Sequence, residues 1–196
     1  MMNVKKKDGK RFGAIVLSLM LLLSLVFPYP VMADQTAADQ TAAASVYTIH
    51  KTGDDKENFV KLRVSLFKEL KEIDENTEIE ELVRETGNYY TSHIDKDLFC
   101  WFAKINGNVV AVASMCIFCR IPYFQNPVGL EGYILNVYTL PEFRKKGAAS
   151  KLVNEIITFS KNSAIKKLWL NSSEAGKDIY KSLGFKENDN EMELFL

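Results

Sequence analysis

The residues of this chain best suited to chemistry are Arg144-Lys145-Lys146-Gly147-Ala148-Ala149, followed by Ser150. They follow an apolar run, residues 133–139, that is closed by Pro141, and they precede a stripe of Leu152, Val153, Ile156 and Ile157 at helical spacing. Proline ends strand pairing because it has no N–H. The chain therefore turns from a strand into a helix at a basic, small-residue segment. Gly147 and the two alanines leave little side chain, so an oxygen atom can approach the backbone. The unpaired amides of a first helical turn, with the helix dipole behind them, suit a phosphate. On these residues alone, a phosphate-holding turn and an ordinary strand–helix turn with a solvated basic face fit equally well.

Other reactive side chains are few. Cys116 and Cys119 form a C-x-x-C, but they lie in an apolar stretch that reads as a strand, where i and i+3 point to opposite faces. The third cysteine is Cys100, and the histidines are His50 and His93 alone, so the thiols read as core residues and no metal site is expected. Tyr89 and Tyr90 fit two roles, core packing or the wall of an acceptor pocket. The chain has 25 basic and 25 acidic side chains over 196 residues. A general nucleic-acid binder would carry a basic excess, so no nucleic-acid partner is expected.

The elements that position the basic turn are legible from periodicity. Residues 46–51 alternate as a strand. Phe59, Leu62, Leu66, Leu70 and Ile73 form a helical stripe, and a second helix covers 79–93. Strands at 98–105 and 109–118 flank Asn106-Gly107, a strong hairpin signal. A loop rich in proline and glycine spans 120–130. Strands at 131–139 and 166–171, helices from 149 and over 174–183, and a last strand at 191–196 complete the order β-α-α-β-β-β-α-β-α-β. This is an α/β (mixed α+β) class: one mixed central sheet of six to seven strands with helices on both faces.

Ahead of this domain, taken as residues 46–196, lie two other segments. Residues 1–33 carry a basic start, an apolar run of residues 12–27, prolines at 28 and 30, and Val31-Met32-Ala33 as a small-residue cleavage site. That layout is a signal peptide, or a membrane anchor if uncleaved, and it places the domain outside the cytoplasm. Translation from Met32 would remove the leader and leave the domain cytoplasmic. Residues 34–45, with a repeated ADQTA, read as a flexible linker.

The pattern Arg-x-x-Gly-x-Ala at Arg144, Gly147 and Ala149 resembles the GCN5-related N-acetyltransferase (GNAT) superfamily. A second match, Tyr180-Lys181-Ser182-Leu183-Gly184-Phe185, follows at the distance usual in that family. The resemblance covers residues 46–196 and implies transfer of an acetyl group from acetyl-CoA to a primary amine of a small molecule or peptide. It implies that main-chain groups of Val137, Tyr138 and Thr139 hold pantetheine and that Arg144 and the turn from Lys145 to Ser150 hold the pyrophosphate. It makes Tyr180 the general acid for the departing thiolate.

Three departures stand out. Ala149 occupies a position where glycine is common. Ser173 stands where many relatives have an asparagine that contacts CoA, while Asn171 lies two residues earlier. Asn136 stands where some relatives place a glutamate, and it cannot act as a base. Glu131 is then a candidate base, directly or through water, or a solvated surface glutamate. Glu174 is a candidate base or a helix-start residue. The expected partners are acetyl-CoA and an amine acceptor, with membrane contact only through the leader and a monomer or homodimer as the assembly. The competing functions are a non-catalytic acyl-CoA-binding or regulatory module and an exported interaction domain.

Overall fold

The computed structural model describes residues 47–188 and residue 194. The expected leader, the linker and the last strand at 191–196 lie outside the described residues, apart from Leu194. Within them the order is β1 (Thr48–Lys51), α1 (Lys56–Leu70), α2 (Glu80–His93), β2 (Leu98–Ile105), β3 (Asn108–Cys119), β4 (Leu130–Thr139), α3 (Ala148–Lys161), β5 (Lys167–Trp169) and α4 (Lys177–Ser182). The sheet runs β1-β2-β3-β4-β5, so it has five strands among the described residues rather than six to seven. All pairs are antiparallel except β4 with β5, which is parallel.

Local signals explain most boundaries. Asn106 and Gly107 both have positive φ, as a two-residue hairpin between twisted strands requires. Helix α1 stops at Lys71, whose left-handed φ of 61° ends the helix; the Lys71 N–H turns back to the Lys68 carbonyl and the Glu72 N–H to that of Phe67. Ile73, expected to continue the stripe, therefore lies beyond the helix. The expected helix over 174–183 divides into a 3₁₀ turn, Glu174–Gly176, and α4.

Two apolar layers sandwich the sheet. On one face Phe59 and Leu62 of α1 and Tyr90 of α2 pack on Phe102, Val112 and Tyr138. On the other, Leu152, Val153 and Ile156 of α3 pack on Trp101, Ala113, Met115 and Ile134. Alternation along each strand sends successive side chains to opposite layers. That alternation holds β4 between α1 and α3, with only its outer edge open.

Candidate cofactor cleft and active site

Strands β4 and β5 form a fork. They pair only at Glu131–Lys167, Gly132–Leu168 and Tyr133–Trp169. Beyond Trp169 β5 ends, whereas β4 continues to Thr139. The Tyr133 and Trp169 rings close the fork at a centroid distance of 4.5 Å.

A β-bulge lies just past this vertex. Ser114 pairs with Leu135 and Val112 with Tyr138, so Asn136 and Val137 together oppose Ala113. Asn136 takes up the extra residue at a φ of 54°. It is buried, and neither its side-chain nitrogen nor its oxygen has a partner among the described residues. After the bulge, Leu140 donates its N–H to Val110 of β3 at 2.9 Å. Main-chain direction alternates along a strand, so Tyr138 also faces β3, while Val137 and Thr139 face the open fork. Of the three residues expected to hold pantetheine, Val137 thus presents main-chain groups to the cleft and Thr139 its N–H, the Thr139 carbonyl being bonded by Arg144. Tyr138 does not: it pairs with Val112 and turns its ring into the α1 layer.

The strand–helix junction has the shape of an anion cradle. Lys145 and Gly147 have φ of 59° and 78°, and two left-handed residues so close together curve the backbone into a concavity of N–H groups. Gly147 is the N-cap of α3, and no side chain caps the helix. No acidic residue lies in its first turn, so the amides of Ala148, Ala149 and Ser150 are left for an anion. The Tyr47 hydroxyl donates to the Lys146 carbonyl at 3.1 Å and fixes the turn from beneath. Lys145, Lys146 and Gly147 are exposed, while Ala148 is buried in the α3 layer. This cradle, together with the open β4 edge, fits the pyrophosphate and pantetheine of CoA.

Arg144 departs from expectation. Its Nε donates to the Thr139 carbonyl at 2.8 Å, its Nη2 pairs with Glu69 of α1, and its guanidinium lies over the Tyr138 ring at 5.4 Å. The Glu69 contact holds its charge above the usual arginine range. The side chain is folded back to brace the strand end, so it is committed to the protein rather than offered to a phosphate.

Tyr180 stands on α4, with its ring edge-on to Phe185 at 6.0 Å and packed against the α3 layer. Burial raises its hydroxyl above the usual tyrosine range, which keeps the proton in place. It lines a cleft of about 690 Å³ shared with Asn171, Ser172 and Lys177. Ser173 is exposed at the start of the 3₁₀ turn. Glu174 is also exposed and pairs with Lys177 at 2.7 Å, as a helix-start residue does.

Glu131 is not a solvated surface residue. Its side chain is fully buried on the α1–α2 side of β4, and it accepts a hydrogen bond from the Tyr123 hydroxyl at 2.8 Å. Arg120 Nη1 pairs with it at 3.4 Å. Both partners come from the 120–130 loop, which shows no diagnostic charge pattern in the sequence. Asn126 stiffens this loop, its side chain bonding the Leu130 carbonyl and the Gly129 N–H.

The remaining candidates divide. Tyr90 is a packing residue, its ring 4.8 Å from Phe59. Tyr89 is partly exposed, stacks on His93 at 4.1 Å and shares a hydrogen bond with Cys116 at 3.6 Å. Of the thiols, Cys100 is a core residue, Cys116 is half-buried and Cys119 is exposed, so the core reading holds fully for Cys100 alone. No cluster of potential metal ligands occurs among the described residues.

Comparison with known proteins agrees with this geometry. The model of the acetyltransferase (GNAT) family matches residues 63–185. A predicted acetyltransferase from Clostridium acetobutylicum, solved with acetyl-CoA, is 28% identical, covers 76% of this chain and 96% of its own, and superposes with a TM-score of 0.66. A GCN5-related N-acetyltransferase from Ralstonia eutropha JMP134 is 19% identical over 76% of this chain and 98% of its own, with a TM-score of 0.64. Glucosamine-6-phosphate N-acetyltransferase from Arabidopsis thaliana is 21% identical over 76% and 97%, with a TM-score of 0.57. These last two share the fold. No match was found among curated proteins. With its forked sheet, uncapped α3 and the family pattern running from α1 through Phe185, the chain belongs to the GNAT family of acetyltransferases.

Proposed function

We propose that the domain transfers the acetyl group of acetyl-CoA to a primary amine, with Tyr180 as general acid. One observation carries this reading: the open β4 edge at Val137 and Thr139 leads directly into the uncapped start of α3. When bound, acetyl-CoA supplies a thioester whose acetyl carbon is open to attack by an amine. Lys145, Lys146 and the amides from Gly147 to Ser150 hold the pyrophosphate, and Ser173 adds a side-chain contact. Val137 and Thr139 pair with the pantetheine arm, and the Val137 N–H donates to the thioester carbonyl oxygen as charge builds there.

Transfer forms a bond from nitrogen to the acetyl carbon and breaks the carbon–sulfur bond. The amine loses one proton and the sulfur gains one. Tyr180 gives the sulfur its proton, and its buried hydroxyl suits that task. Glu131 is the proposed terminus for the amine's proton, reached through water. It precedes Val137 along the same strand by roughly 15–20 Å at the usual strand rise, beyond the direct reach of a carboxylate.

Isothermal titration of the full chain with acetyl-CoA tests the reading. One saturable binding event and a raised melting temperature are expected. Absence of both overturns it. Mass spectrometry of products from a panel of amines then identifies the acceptor.

A further inference from the structure

We propose that the outer face of the α1–α2 pair binds a second copy of this chain about a two-fold axis. Each copy's acidic α1–α2 turn then sits on the other's lysine-rimmed groove. The proposal is independent of the acetyltransferase reading.

A groove of about 640 Å³ runs between α1 and α2. Its apolar lining is Val60 and Val64 of α1, Val83 of α2 and Ile79 just before α2. On α1 the groove residues Val60, Val64 and Lys68 recur every fourth position, a stripe roughly opposite to that of Phe59, Leu62 and Leu66, which pack on the sheet. Lys56, Lys61 and Lys68 rim the groove and are exposed. None of the three makes an ion pair or a side-chain hydrogen bond among the described residues. Glu57 is the one carboxylate in the lining, and Arg84 is already paired with Glu81 and Glu85. An apolar floor inside a row of uncompensated lysines suits an occupant that carries both apolar side chains and carboxylates.

The chain itself carries such a segment. Glu72, Asp74, Glu75, Glu78 and Glu80 are all exposed where α1 passes into α2, next to Leu70, which is 43% exposed, and half-buried Ile73. Glu72, Glu75, Glu78 and Glu80 make no ion pair or side-chain hydrogen bond among the described residues. The turn has a fixed shape, because the Asp74 carboxylate accepts from the Thr77 hydroxyl at 2.8 Å and from the Asn76 N–H at 2.9 Å. Docking it therefore orders little new chain. Like charges crowded in this way repel one another, and a row of lysines relieves them.

Symmetry brings the two together. Lys56 and Lys61 lie toward the end of the groove away from the acidic turn, because the turn joins the C-terminal end of α1 to α2. A two-fold axis through the middle of the groove places each acidic turn on the other copy's Lys56 and Lys61, and every contact is made twice. Exposed ion pairs contribute little each, so the apolar floor supplies affinity and the charges set the register. The helices have 15 and 14 residues, which gives about 22 Å of length at a spacing of about 10 Å. That face is small for a specific interface, so the expected dimer is a weak, micromolar one.

Sedimentation velocity of the full chain over a concentration series reads the association. A reversible monomer–dimer equilibrium is expected, weakened about tenfold in about 0.5 M salt. The double variants Lys56→Glu/Lys61→Glu and Glu75→Lys/Glu78→Lys should each weaken it about tenfold or more, because like charges then face each other twice. An equimolar mixture of the two variants should restore it, since each supplies the charge the other lost. Val83→Lys, at an exposed position, should abolish dimers with Tm unchanged. A chain that stays monomeric overturns the proposal, including one that binds phosphatidylserine vesicles through the same lysines. So does association that survives all three variants, as contacts through residues 1–46 would, and so do weakened variants that mixing fails to restore.

Discussion

Tyr133 and Trp169 form the last rung between β4 and β5, and their rings meet where the two strands part. The pair is a hinge point for chemistry. On its open side lie the bulge at Asn136 and the free edge of β4. On its α1–α2 side lie Cys116, the β3 partner of Tyr133, and Tyr89, which shares a hydrogen bond with Cys116. This aromatic contact marks the closed end of the proposed cofactor cleft.

The hydroxyl of Tyr180 is the proposed proton donor. Tyr180→Phe should lower kcat about a hundredfold or more, within the range of general acid catalysis, and leave acetyl-CoA affinity largely intact. Burial raises the Tyr180 pKa, so the acid form persists above the usual tyrosine range. The alkaline fall in wild-type kcat due to this group should lie above that range and vanish in the variant. Pre-steady-state kinetics across pH, with chemistry made rate-limiting, checks both points.

Gly147 holds the cradle at a φ of 78°. The nearest atom to an added Cβ is the Tyr47 hydroxyl oxygen at 3.5 Å, an ordinary contact, so backbone conformation is the main obstacle. Gly147→Ala should cost about 1–2 kcal/mol in that conformation and weaken CoA binding roughly tenfold. Titration with CoA and with pantetheine should show the loss for CoA alone.

Gly129 anchors the loop that covers Glu131. A Cβ there would lie 2.2 Å from the Arg120 carbonyl oxygen, a backbone atom, and φ is 73°. Gly129→Ala should destabilise the domain by about 2 kcal/mol or more, seen as a lower urea midpoint with little change in slope. Retention of the wild-type midpoint would contradict the packing described here.

Asn136 combines a positive φ with two buried polar atoms that have no partner among the described residues. Glycine removes both features at the cost of chain entropy. Asn136→Gly should therefore raise stability by about 1 kcal/mol, or roughly 2–4 °C in Tm for a domain of this size. Thermal unfolding by circular dichroism measures it. A fall in Tm would mean that the carboxamide has a stabilising partner.

The three thiols should react in order of exposure. Cys119 should be labelled first, Cys116 more slowly, and Cys100 only on unfolding. Burial pushes the Cys100 thiol up to about 12, so its thiolate is scarce at neutral pH. Mass spectrometry after timed alkylation checks the order.

Much of this protein was legible in the sequence because its signals are local. The Asn106-Gly107 hairpin, the stripes of α1 and α3, and the proline that ends strand pairing at 141 depend on neighbours within a few residues. The basic turn at 144–150 and the segment from Tyr180 to Phe185 likewise show themselves as short patterns, and they point to the family that the comparison then establishes.

What the tertiary structure decided depends on partners far along the chain. Arg144 reads as a phosphate contact until Glu69, 75 positions away, takes its guanidinium. Glu131 reads as a surface residue until the 120–130 loop closes over it with Tyr123 and Arg120. The early end of β5 and the bulge that places Asn136 and Val137 against Ala113 have no local signature. Each arises from strand pairing or helix–sheet packing, where the deciding atom belongs to another element. Amino-acid types and spacing alone therefore determine the strand–turn–helix at 133–150. Only the folded chain determines which of its groups face the cleft, because pairing with β3 consumes one edge of β4 and the end of β5 frees the other.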